Sequence, residues 1–367
     1  MPDIARVYLD HAATSPIRPE VRDAIIEALD LPGNPSSVHG EGRAARAQLE
    51  RARRRIRAAI GVGDAGALIF TSGATEANAT ALAGSPRTLA SAIEHPSILA
   101  QRNVEAVPVD AGGRLDLASL EARLAQGGVG CVALMAGNNE TGVLQPVAEA
   151  ARLARALGAT LHVDAVQALG KGTLDALALG CDSLAISAHK IGGPKGTGAL
   201  WLKDPDRLVP LLRGGGQESR HRAGTEGICG ILGFAAALDA IAPAEAARLA
   251  TYRDMLEARA LALVPDCVVV AADVDRVAHI TAIALPGVSA MTQVMALDLA
   301  GIAVSAGAAC SSGKVSRSHV LDAMGLTPEL ADSTIRVSVG WSTTAADVER
   351  FLDAWRGLAE RRQRRAA

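Results

Sequence analysis

Between residues 68 and 202, short runs of apolar and small residues alternate with segments whose apolar positions recur every three or four residues. The runs lie at 68–70, 88–92, 130–136, 160–163, 183–186 and 199–202. They lack strict polar alternation, as strands covered on both faces do. Helical periodicity fills 76–82, 117–125 and 147–157 between them. This order predicts an α/β fold with a mainly parallel sheet covered by helices. Upstream, 43–60 reads as a long amphipathic helix with an arginine-rich, solvated face. Past an apolar segment at 234–241, the pattern changes to a helix at 243–263, strands at 268–271 and 279–285, a helix at 291–299, a strand at 334–339 and a closing helix. A smaller α+β unit is expected there. The division predicted is a large domain over 15–250 and a small one made of 1–14 with 251–367.

A chain of 367 residues exceeds one ordinary core, in keeping with two units. Its net charge of −2 gives no broad electrostatic footprint for nucleic acid. The basic run at 361–365 reads as a frayed, solvated tail rather than an anion-binding arm. Aromatic residues make up 2% of the chain, so the core must be built from Ala, Leu, Val and Ile. Cys131, Cys181, Cys229, Cys267 and Cys310 are odd in number and form no CxxC, which indicates neither a disulfide framework nor a zinc site. A reducing cytoplasm is expected. The first residues carry no secretory apolar region and no run is long enough to span a bilayer, so no membrane association is expected.

Candidate chemistry collects where the predicted strands end. The strand at 160–163 delivers Asp164 at its carboxyl end, where ligands bind in open α/β sheets, and Gln167 follows three residues on. The strand at 183–186 delivers Ser187, His189 and Lys190 into a glycine-rich turn. A carboxylate able to keep a pyridinium nitrogen protonated, beside a lysine able to form a Schiff base, points to pyridoxal phosphate. Strand-end Asp and Lys are also common solvated caps, so each segment is weak evidence alone. After the strand at 68–70, Ala74 and Thr75 open a helix whose amides and hydroxyl suit a phosphate, although Ser72 and Glu76 also read as an ordinary capping pair. His95 follows the strand at 88–92; stacking on a pyridine ring and an ordinary hydrogen-bonded loop are both open to it. Asn138 and Asn139 reach the same edge, or serve simply as turn residues. The polar stretch 213–226 reads as a long loop of the kind that carries function. By contrast, Gly61, Gly63 and Gly66 satisfy G-x-G-x-x-G but follow a helix and precede a strand, the wrong order for a dinucleotide; a helix C-cap is the better reading.

Taken in order, these residues resemble the cysteine desulfurases of the class V aminotransferase group, the NifS/IscS-like enzymes. The resemblance covers nearly the whole chain. It is carried by YLDHAAT (8–14), GNPSSVHGEGR (33–43), FTSGATEAN (70–78), EHP (94–96), NNETG (138–142), HVDAVQ (162–167), SAHKIGGPKGTGAL (187–200), GGGQE (214–218) with RAGTE (222–226), and SAGAACSSG (305–313). It implies a pyridoxal-phosphate transferase of fold type I that converts L-cysteine to L-alanine. In that family pattern Lys190 carries the cofactor and moves the proton, Asp164 pairs with the ring nitrogen, His95 stacks on the ring, and Asn139 and Gln167 sit near its substituents. Ala74, Thr75, Ser187 and His189 would hold the phosphate, joined by Thr225 from the partner of a homodimer. Asn34 and Arg336 match the positions expected to bind the substrate carboxylate. Cys310 would be the nucleophile that takes the sulfur as a persulfide and passes it to an acceptor, such as an iron–sulfur scaffold protein. His11, Gly227 and Trp341 depart from the commoner Asn, Asn and Arg. A selenocysteine lyase or small-amino-acid aminotransferase on the same scaffold, and a non-catalytic scaffold protein, are the competing readings.

Overall fold

The computed structural model describes residues 6–306 and 317–366. Its strands are β1 (Val7–Tyr8), β2 (Ala67–Thr71), β3 (Thr88–Ser91), β4 (Val104–Val107), β5 (Cys131–Met135), β6 (Thr160–Asp164), β7 (Ser183–Ser187), β8 (Gly198–Leu202), β9 (Val268–Val269), β10 (Ile280–Ala284), β11 (Ile302–Ala303), β12 (Ser305–Ala306) and β13 (Thr334–Ser338). The helices are α1 (Pro19–Leu29), α2 (Gly40–Ala59), α3 (Ala74–Leu82), α4 (Pro96–Leu99), α5 (Leu117–Leu124), α6 (Val147–Ala156), α7 (Ile228–Asp239), α8 (Glu245–Leu263), α9 (Ala290–Leu299), α10 (His319–Ala323), α11 (Pro328–Asp332) and α12 (Ala345–Ala366).

A seven-stranded sheet with order β2-β8-β7-β6-β5-β3-β4 is the platform. From β4 to β7 the neighbours pair parallel, while β8 pairs antiparallel with both β2 and β7. The reversal has a simple cause. The connection 188–197 is too short for the crossover that a parallel neighbour needs, so the chain returns as a hairpin. Strand β4, with its two central residues exposed, escapes the apolar-run pattern because it lies at the sheet edge. The 268–271 strand ends at Val269, since Ala271 takes a left-handed φ of 55° that extended pairing does not allow.

The helices follow from their stripes. In α2, Ala45, Leu49, Ala52 and Ile56 are buried in one line, and the arginines take the remaining face. The helix ends before Gly61 at φ 72°, confirming a C-cap in place of a dinucleotide loop. The 361–365 run is not a frayed tail: α12 continues through it, and Arg362 donates to Pro286 O at 2.7 Å and pairs with Asp266 at 2.7 Å. Among the described residues, no helix is long and apolar enough to cross a membrane.

Two cores result. One surrounds the large sheet, with Leu89, Leu134, Leu161, Leu184, Trp201 and Phe234 fully buried. The other gathers Val7, Leu249, Leu297, Ile335, Phe351 and Trp355 around the four-stranded sheet β12-β13-β10-β9. The chain's start belongs to the second, because β1 pairs with β11. Within it, Trp355 stacks on Phe351 and donates from Nε1 to Gln293 Oε1 at 3.0 Å. Gln293, wholly buried, spends its own amide on Val288 O and Ser333 O. Trp355→Phe keeps the packing but orphans a buried acceptor, and is expected to cost about 1–3 kcal/mol in urea unfolding; Trp355→Ala adds a cavity and should cost about 3–5 kcal/mol.

Candidate active site

Strands β5, β6 and β7 present their carboxyl ends side by side, and a cavity of about 590 Å³ opens above them. Asp164, the last residue of β6, enters it as a buried carboxylate. Its Oδ1 accepts from Val166 N at 3.0 Å and its Oδ2 from Asn78 Nδ2 at 2.8 Å. Both bonds are donated to the carboxyl oxygens.

Lys190 stands on the single tight turn that follows β7. Its Nζ donates to Ala12 O and Ala13 O, both at 2.7 Å. Burial, with Arg336 adding repulsion against the pull of Asp164 and Asp10, lowers its pKa to about 8. Arg336, in the middle of β13, donates to Asn139 O at 2.8 Å and to Asp10 at 2.9 Å, while its Nε is buried without a partner. Arg336 is one of the residues that line the cavity.

The opposite wall is the start of α3. Ser72, Gly73, Ala74 and Thr75 line it, and a Cβ at Gly73 would point into open space. The turn lies directly on β8, where a Cβ at Gly198 would come within 2.7 Å of Gly73 backbone atoms. Glu76 caps the same turn, accepting Ser72 N at 2.7 Å and pairing with Arg222 at 2.9 Å. Ser187, His189 and Lys195 complete this wall. His189 is held neutral, its pKa lowered to about 4 by burial and by Lys190 and Lys195. His95 is exposed at the edge, but its Nδ1 is enclosed by Ser97 N at 3.1 Å and Ser97 Oγ at 2.9 Å. Burial of that side, with Lys190 and His319 nearby, lowers its pKa against the opposing effect of Asp164.

Ten residues singled out in the sequence therefore line one cavity: Ala74, Thr75, His95, Asn139, Asp164, Gln167, Ser187, His189, Lys190 and Arg336. Gln167 is tied down, giving Nε2 to Ala12 O and accepting from His279. Asn34 and Thr225 are not brought to it within one chain. Asn34 is exposed and accepts Ser36 N at 2.9 Å, and Thr225 is exposed on the segment tethered by Arg222. Cys310 lies outside the described residues. Missed from the sequence were the Ala12 and Ala13 carbonyls and Asn78. The last sits four residues into α3 from Ala74, so helical spacing could have turned it inward.

Residues 7–351 match the family of class V aminotransferases. The chain is 42% identical to a cysteine desulfurase of Cereibacter sphaeroides over 95% of its length and 94% of that protein. It superposes on a NifS-like protein from Rickettsia africae with a TM-score of 0.89, at 34% identity, covering 97% of this chain and 99% of the other. A structure described as SspA in complex with cysteine matches at 26% identity and a TM-score of 0.80, covering 90% of this chain and 98% of that one. The chain belongs to the cysteine desulfurases. Enzymes of this family depend on pyridoxal phosphate, and the cavity suits it: Asp164 and Lys190 both line it, the start of a nine-residue helix borders it, and Arg336, another lining residue, has a buried donor without a partner.

Beside these groups, Glu140 accepts Ser318 Oγ at 2.5 Å, and burial raises its pKa from 4.5 to about 7 despite Ser318 and Arg336. An acid raised in the folded state holds a proton that the unfolded chain has lost, so its stabilisation is full below pH 4.5 and disappears as pH rises through about 7. Glu140→Gln cannot make that loss. The variant's stability, followed by urea unfolding across this window, should fall less steeply with pH than the parent's by up to about one proton.

Proposed function

We propose that this cavity converts L-cysteine to L-alanine with pyridoxal phosphate, leaving the sulfur as a persulfide on Cys310. The observation that carries the reading is the meeting of Asp164, Lys190 and Arg336 on one cavity. Lys190 would anchor the cofactor, Asp164 pair with its ring nitrogen and His95 cover the ring. Asn139 and Gln167 would border its substituents, and Ala74, Thr75, Ser187 and His189 would take the phosphate. When bound, the cofactor supplies an electron-withdrawing ring. Arg336 would receive the substrate carboxylate in charge-assisted bonds, with Asn34 as the second expected contact. Lys190, with its pKa near 8, can take and return a proton at the α-carbon at little cost.

The sulfur step balances without an added oxidant. The Cys310 thiolate attacks the substrate sulfur, an S–S bond forms as the C–S bond breaks, and the freed carbon collects a proton to become the methyl group of alanine. Three of the four described cysteines compete poorly: burial pushes Cys131 and Cys267 up to about 11 and Cys181 to about 12. Described residues on both sides of 307–316 are tied to residues of or next to the site: Ser305 pairs with Arg336 across β12 and β13, and Ser318 binds Glu140, the neighbour of Asn139.

The same proposal takes the protein as a cytoplasmic homodimer in which Thr225 serves the partner's phosphate, with an acceptor such as an iron–sulfur scaffold protein receiving the sulfur. The domain division at 15–250 against 1–14 with 251–367 is part of it, supported by the two separate cores.

Borohydride reduction of the cofactor-loaded protein, followed by peptide mapping, should place the pyridoxyl group on Lys190; recovery on Lys195, which lines the same wall, would overturn the assignment. Mass spectrometry after incubation with L-cysteine should find an added sulfur on Cys310 alone. Cys310→Ser should retain the cofactor's visible band yet lose alanine release by at least about a hundredfold, because a hydroxyl is a far weaker nucleophile toward sulfur. Alanine formed at the parent rate would instead indicate a lyase needing no cysteine nucleophile.

A further inference from the structure

Behind Asp164 and His95 runs a buried chain of polar side chains whose proton positions are settled by elementary donor and acceptor counting. Asn78, fully buried on α3, is its junction. Its Nδ2 donates to Asp164 Oδ2 at 2.8 Å and to Ser97 Oγ at 2.9 Å. Its Oδ1 lies 2.9 Å from His162 Nε2. The amide orientation is fixed because a carboxylate only accepts; turning the amide over would set oxygen against oxygen. His162 must then carry its proton on Nε2, and its Nδ1 accepts from Ser183 Oγ at 2.8 Å. Full burial keeps this ring neutral, lowering its pKa to about 3.

The other branch is equally determined. Ser97 Oγ accepts from Asn78, so its own hydroxyl proton is free for His95 Nδ1, 2.9 Å away. The same Nδ1 receives the Ser97 backbone N–H. With two donors aimed at it, Nδ1 is bare and the His95 proton resides on Nε2.

We propose that Asn78 is a positioning residue that fixes the orientation of the Asp164 side chain and the Nε2–H tautomer of His95 together, through one amide. The inference rests on the roles proposed above for those two residues. A ring presenting N–H and a carboxylate held from behind are set by a group that touches neither substrate nor cofactor. His162 and Ser183 in turn keep Asn78 from rotating.

The test is a double-mutant cycle read on His95 itself, in the full chain labelled at histidine nitrogen, with His95→Gln assigning the signal. Asp164, Lys190 and His319 are the charged or titratable groups acting on this ring, and none is altered. Ser97→Ala removes a donor to the neutral ring, so the His95 titration midpoint should rise by about one pH unit. In the Asn78→Ala background, where nothing directs the hydroxyl, the same change should move it by less than half as much. Equal shifts in both backgrounds would overturn the proposal, as would a parent His95 found with its proton on Nδ1. A merely structural Asn78 would lower stability and leave the shifts additive. If Asn78→Ala does not fold, Asn78→Ser, which cannot donate twice, replaces it in the cycle. Loading the parent with pyridoxal phosphate separates the two failures: no visible band would sink the functional reading, while the His95 cycle still decides the role of Asn78.

Discussion

Holding an acid and a base out of water at the ends of two neighbouring parallel strands is the constraint on which the rest of this structure depends. Strand β6 ends in Asp164, β7 runs into the turn of Lys190, and both residues line one cavity. Burial costs each of them solvation that must be replaced by placed dipoles. Asp164 finds them locally, in Val166 N and Asn78. Lys190 does not: its acceptors, Ala12 O and Ala13 O, belong to the start of the chain. That start is in turn held by β1 on β11 and by a parallel bridge from Asp10 to Ser338. The second core is thus required for the lysine to be solvated by protein.

The same economy explains the histidines around the site. Burial lowers His11 and His162 to about 3 and drives His279 well below its ordinary value, so these rings act as neutral hydrogen-bonding groups. What charge is left near the cavity is mostly positive, from Lys190, Lys195 and Arg336, against Asp164 and Asp10. An anionic phosphate and a substrate carboxylate complement that balance. Two departures from the family pattern lie in or against the N-terminal turn and not among the residues that line the cavity. His11 binds Ser15 and packs so closely on Gly340 that a Cβ there would lie 1.9 Å from its Nδ1. Trp341 donates to Pro16 O and lies under Arg18, whose guanidinium binds Ile191 O beside Lys190 and pairs with the buried Glu245 at 2.6 Å. Both therefore bear on how the lysine turn is held.

Legibility in the sequence followed the range of the interactions. Asp164, Ser187, His189 and Lys190 were readable because apolar runs announce buried strands and ligands collect at their carboxyl ends. Strand β4 was not, since an edge strand shows no such run. The reversal of β8 was hidden as well, because strand patterning is blind to direction. The carbonyls of Ala12 and Ala13 were beyond reach for a deeper reason: backbone oxygens carry no sequence signal, and their use depends on contacts spanning more than 170 residues. Asn34 and Thr225 drew attention through family pattern alone, and a single chain leaves both outside the cavity.

Arg336 links the two halves of the site most directly. One of its nitrogens holds Asn139 O, the next residue Glu140 holds Ser318, and Ser305 is its partner across the sheet. Residues on either side of 307–316 are consequently tied to this part of the site, Ser305 to the Arg336 backbone and Ser318 to Glu140, beside the Asn139 carbonyl that the guanidinium holds. His319 adds a second fastening, with Nε2 at 3.0 Å from Glu94 O, beside the Glu94 carboxyl that burial keeps toward its neutral form. The guanidinium that Asp10 and Asn139 O hold also acts on Glu140, opposing the rise that burial imposes on its carboxyl. One buried guanidinium thus ties Asp10, the Asn139–Glu140 loop and strand β13 together, so a change in its bonds should be felt at Glu140 and at Ser318.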